Sequence, residues 1–78
     1  MATFTRINKP YIYGYQATIG QRFVEVVKAY RGEWLVFGYE CGAMVRRDRP
    51  AHAHSYRVAM ANAKRFLTGN DIEENYLD

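Results

Sequence analysis

The sequence predicts a small α+β domain, a three- to four-stranded antiparallel sheet packed on one C-terminal helix in the order β-β-β-α. Three observations carry this. Residues 56–67 repeat apolar side chains at helical spacing, residues 11–41 alternate at strand spacing, and Arg31-Gly32 between two apolar runs marks a hairpin turn. The chain has 78 residues, which makes one domain. A chain this short buries roughly 60–65% of the surface its unfolded form exposes, and leaves little room for an internal catalytic cavity.

The helix organises the rest. Between Ser55 and Gly69, the residues Tyr56, Ala59, Met60, Ala63, Phe66 and Leu67 form one apolar stripe of period 3.6. Arg57, Asn62, Lys64 and Arg65 fall off the stripe and are expected to face water. Ser55 suits an N-cap, and Pro50 offers an earlier start. Gly69 suits the left-handed stop, and Lys64 and Arg65 complement the dipole of the last turns. One helix cannot cover its own stripe, so the Tyr- and Val-rich first half of the chain must do so.

Residues 1–10 read as an irregular or edge segment, broken by Asn8-Lys9-Pro10. In residues 11–19, Tyr11, Tyr13, Tyr15, Ala17 and Ile19 point one way and Ile12, Gly14, Gln16 and Thr18 the other. The three tyrosines are core if they face the helix and an aromatic platform if they face away. Residues 22–30 are apolar on both sides, as a central strand is, with Phe23 and Val27 opposite Val24 and Val26. In residues 33–41, Leu35, Phe37, Tyr39 and Cys41 share one face and Trp34, Val36 and Gly38 the other. The two strands form a hairpin over Phe23–Tyr39. Residues 42–45 either extend the last strand past a bulge at Gly42 or make a short fourth strand. Residues 46–54, RRDRPAHAH, read as a basic connection into the helix.

The net charge of +3 hides an asymmetry. The last eight residues, DIEENYLD, carry four acids, so the first 70 hold eleven bases against four acids, a balance of +7. A basic body of this kind suits a polyanion or an acidic partner. The acidic tail reads as a frayed end or as a short segment that docks through Ile72, Tyr76 and Leu77. One cysteine excludes an intrachain disulfide. No apolar run reaches signal-peptide or membrane-spanning length, so the expectation is a cytoplasmic protein that does not meet membrane.

The densest chemistry lies in Arg46, Arg47 and Arg49, followed by His52, His54 and Arg57. Arginines beside a helix start suit phosphate or carboxylate, and exposed tyrosines such as Tyr13 add stacking. His52 and His54 lack acid or cysteine companions at metal-ligand spacing, so no metal is expected. Cys41 reads as a buried structural thiol, although His52 or His54 is free to approach it. There is no phosphate loop, nucleophile elbow or carboxylate pair. The reading is of a non-enzymatic protein without a cofactor.

A strand hairpin followed by an Ala-rich helix, over residues 11–69, resembles in outline small phage-encoded inhibitors, the anti-CRISPR proteins above all. That group has no common motif, so no residue role carries over. The resemblance implies a binding-only protein that blocks a CRISPR-Cas effector subunit or complex sterically, in the host cytoplasm. The same order of elements resembles the three-stranded, single-helix DNA-binding domains of phage integrases, which read DNA with the exposed sheet face. There the sheet would offer Arg22, Lys28 or Tyr30. The residues therefore support two functions. One is a protein-binding inhibitor acting through Arg46, Arg47, Arg49, His52, His54, Arg57 and Tyr13. The other is a small nucleic-acid-binding module.

Overall fold

The computed structural model describes residues 3–45 and 50–74, and it is an α+β fold with one antiparallel sheet and one helix. Three long strands make the sheet: β2 (Gly14–Ile19), β3 (Arg22–Lys28) and β4 (Trp34–Glu40). Three short ones complete it: β1 (Thr5–Arg6) on the outer edge of β2, and β5 (Ala43–Met44) and β6 (Ala51–Ala53) on the free edge of β4. Helix α1 (Tyr56–Leu67) lies across β3, β4 and β6.

Turn chemistry sets the register. Gly20, at φ +59°, opens the two-residue link between β2 and β3, so that Ala17 faces Val24. Cys41 and Gly42 both have positive φ, which makes the two-residue hairpin that starts β5. The segment after Glu40 is thus a separate short strand and not an extension of β4 past a bulge. The long hairpin pairs Phe23 with Tyr39 and Lys28 with Trp34, and its loop closes through the Ala29 N–H donating to the Glu33 carbonyl at 2.8 Å.

Register decides the faces. Ala17, Val24, Val26, Trp34, Val36 and Gly38 look toward the helix, together with Ala51 and Ala53. Val24, Val26 and Val36 are fully buried against Ala59, Ala63 and Phe66. Phe23, Val27, Leu35, Phe37, Tyr39 and Met44 lie half-buried on the opposite face.

Ser55 caps the helix, its hydroxyl accepting from the Val58 N–H at 3.2 Å. At the other end Gly69, φ +110°, donates to the Phe66 carbonyl and Asn70 donates to that of Arg65, a Schellman motif. Arg22 finishes this end from the sheet. One of its nitrogens donates to the Phe66 and Asn70 carbonyls, each at 2.7 Å, while its guanidinium lies 4.5 Å from the centre of the Phe66 ring. Its Nε donates to Glu40 at 3.3 Å. A cation on the last carbonyls of a helix also complements the helix dipole.

Three expectations need correcting. Asn62 does not face water but is 1% exposed. Its amide donates to the Glu73 carbonyl at 2.9 Å, and its oxygen accepts from the Glu73 N–H at 3.2 Å. The tail covers it, with Ile72 buried in the core and Arg65 on the Glu73 carboxylate at 3.4 Å. Cys41 is exposed rather than buried, because the turn carries it out of the sheet. Residues 51–53 are a strand rather than a connection. Small apolar Ala51 and Ala53 fit under the helix while His52 points away, a period-2 pattern too short to read alone. No helix among the described residues is long and apolar enough to cross a membrane.

Phe66 is the largest fully buried side chain among the described residues. Phe66→Ala is expected to cost about 3–5 kcal/mol in denaturant unfolding, through lost burial and the cavity left behind. A change within about 0.5 kcal/mol, the size of a neutral surface substitution, would contradict this packing.

Candidate functional site: an aromatic, cationic edge

The alternation Tyr13, Tyr15, Ala17 puts all three on the helix side of β2. The helix, however, covers β3 and β4 and begins only at Tyr56, so the start of β2 is left uncapped. The tyrosines are on the core side and yet accessible, an outcome outside both of the alternatives posed by the sequence.

Four rings close a circuit there. Tyr13 meets Tyr15 at 6.1 Å between centroids, Tyr15 meets Tyr56 at 5.7 Å, Tyr56 meets Trp34 at 5.1 Å, and Trp34 meets Tyr13 at 6.1 Å. All four contacts are edge-to-face, the arrangement the ring quadrupoles favour. Trp34 is the buried member, while Tyr13 and Tyr56 keep 45% and 42% of their surface in solvent. Arg6 lies 4.4 Å and Lys28 5.9 Å from the Tyr13 ring centre, so the exposed ring carries two cations.

Beyond this quartet stand Tyr11 and Tyr30, 97% and 93% exposed. A recess of about 420 Å³ lies between them, lined by Tyr11, Tyr13, Lys28, Ala29 and Tyr30. A larger one of about 800 Å³ runs along the turn from Arg6 to Tyr13 and includes Lys9. Three cations and no acid line the two recesses.

The residues singled out from sequence do not gather at one place. Tyr13 is in the quartet. His52 is on the other face of the sheet, opposite Leu35, with its ring 3.8 Å from Glu33 and its backbone N–H donating to Glu74 at 3.3 Å. His54 is exposed between β6 and the helix, and Arg57 is exposed in the first helical turn. Arg46, Arg47 and Arg49 lie outside the described residues. Cys41 and His52 sit beside opposite ends of β4, roughly 15–20 Å apart at strand rise, which does not bring thiol and imidazole together. Among the described residues no group of three His, Cys, Asp or Glu side chains is placed to hold a metal ion.

Sequence reading missed Arg6, Lys9 and the Tyr56–Trp34 contact, and named Lys28 only among the sheet residues that a DNA-binding domain would offer. The signal for Lys28 was available, because the hairpin register sets it beside Trp34 and thus beside Tyr13. Arg6 depends on β1 pairing with β2, and Lys9 on the isolated bridge to Ile12, and elements this short have no pattern to find.

No protein-family model matches this chain, and no curated protein or solved structure does either.

Tyr15 at this edge and Tyr39 on the opposite face are shifted in the same direction. Tyr15 ionises above the ordinary tyrosine range, first because of its 3.5 Å hydrogen bond with the Tyr13 hydroxyl, then because of charge on Tyr13 and burial. Tyr39 is raised by burial and then by Glu25, whose carboxylate accepts from its hydroxyl at 3.4 Å. A phenol harder to ionise in the folded chain stabilises the fold below its unfolded pKa of about 10, and that contribution is lost as pH rises through the raised value. Melting temperatures are therefore expected to fall above about pH 10. The Tyr15→Phe/Tyr39→Phe double variant, which has no such phenols, should fall less steeply. Equal slopes would contradict these placements.

Proposed function

We propose that this protein works by contact, as a non-enzymatic binder of an anionic partner, and that its contact surface is the aromatic, cationic edge centred on Tyr13. The observation that carries the proposal is the closed ring quartet with Arg6 and Lys28 on its exposed member. Tyr, Trp and Arg anchor interfaces because they present large rigid area with polar ends. Here their rings are already fixed by one another, so little side-chain freedom is lost on binding.

Placing the surface at this edge also fits the charge. Excess positive charge on the body draws an anionic partner in, and the acid-free recesses give it a place to stop. An inhibitor of the anti-CRISPR type would use such a surface to occlude an acidic site on an effector complex, with no chemistry of its own.

Two variants that remove equal charge test the location. Arg6→Glu/Lys9→Glu/Lys28→Glu should elute from immobilised heparin at markedly lower salt than Arg46→Glu/Arg47→Glu/Arg49→Glu, both folded by circular dichroism. The reverse order would move the surface to the basic loop at residues 46–49. Equal retention of both variants and the parent would remove the polyanion reading altogether.

A further inference from the structure

We infer that the recess between Tyr11 and Tyr30 receives a nucleobase of a single-stranded nucleic acid, with Arg6, Lys9 and Lys28 on the adjoining phosphates. This rests on the edge being the contact surface, and it names the ligand.

Tyr11 and Tyr30 are the two most exposed large apolar side chains described, and their rings flank one recess. Neither contributes to the core. Yet each sits on a backbone turn that is held in place. The Tyr11 turn is closed by the Ile7 N–H donating to the Gly14 carbonyl at 3.0 Å and the Ile12 N–H donating to that of Lys9 at 3.3 Å. The Tyr30 turn is closed by the Ala29 and Glu33 N–H groups, which donate across it at 2.8 and 3.2 Å. The turns fix where the two side chains start, and the exposed rings can turn onto a flat partner. Tyr13 and Lys28 complete the lining of this open recess.

The ring chemistry selects among anions. An acidic peptide would use the cations and leave Tyr11 and Tyr30 with nothing flat to cover. A duplex hides its base faces in the stack, so the exposed rings have nothing flat to cover there. A single strand offers both phosphate and an open π-face at every residue, and stacking on aromatic side chains tolerates any base. Lys28 serves twice, over the Tyr13 ring and beside the recess, which puts a phosphate next to the stacked base.

The test is fluorescence anisotropy with a labelled oligothymidylate, the matching duplex and polyglutamate, with Trp34 emission as a second signal because it contacts Tyr13. The single strand is expected to bind tightest. Three phosphate contacts give a slope of log affinity against log salt of about −2. Tyr11→Ala and Tyr30→Ala should each weaken single-strand binding by about tenfold without changing that slope. Lys28→Gln should make the slope shallower by about 0.7. Parent-like affinity in both tyrosine variants would overturn the base site while leaving the anionic contact surface standing. Equal or tighter binding of polyglutamate or duplex would do the same and point to an acidic protein or to duplex backbone. Binding to none of the three would overturn this inference and the contact surface together.

Discussion

Phe66 reaches the sheet where β4 has no side chain. A Cβ at Gly38 would run into Ile72 and press on Phe66, so the last turn of the helix and the returning tail meet over that glycine. Much else depends on this close approach. Ala59 and Ala63 let the helix settle onto Val24, Val26 and Val36, and Arg22 ties the helix end to β3. The tail that contributes Ile72 also satisfies Asn62, which would otherwise be an unpaired amide in the core, a loss of about 1–3 kcal/mol.

The same docking explains where the accessible surface lies. A twelve-residue helix seated over β3 and β4 cannot also cover the start of β2. The aromatic residues there stabilise themselves by edge-to-face contact instead, and the chain places Arg6, Lys9 and Lys28 around them. The stability of the fold and its accessible surface thus have one origin, namely which strands the helix covers. The open sheet face differs in kind. Its apolar residues are half-buried by one another, as the Phe23 and Tyr39 rings are at 5.6 Å, and Glu25 in their midst holds the Tyr39 hydroxyl.

Much of the fold was legible because its signals are periodic. The helix stripe from Ala59 to Leu67 and the hairpin that pairs Phe23 with Tyr39 both follow from spacing, and the positive-φ glycines Gly32 and Gly69 fall at the hairpin turn and the helix stop that the sequence marks. What escaped is set by tertiary contact. Asn62 is polar by type and buried because residues 72–73 return to it. Ala51–Ala53 is a strand because β4 has a free edge to pair with. The site was harder still. Tyr13 was singled out, but its neighbours Arg6, Lys28, Trp34 and Tyr56 come from four separate elements, and no local pattern links them. His52, adjacent in sequence to the basic loop, turns to the opposite face through strand alternation.

The most direct measurement is a backbone amide map by NMR as a short single-stranded oligonucleotide is added. Shifts confined to residues 6–13 and 28–34, with the amides of Phe23, Phe37 and Tyr39 unmoved, are the expected result. Shifts centred on the open sheet face, or on residues 46–57 alone, would contradict the placement of the contact surface at the Tyr13 edge.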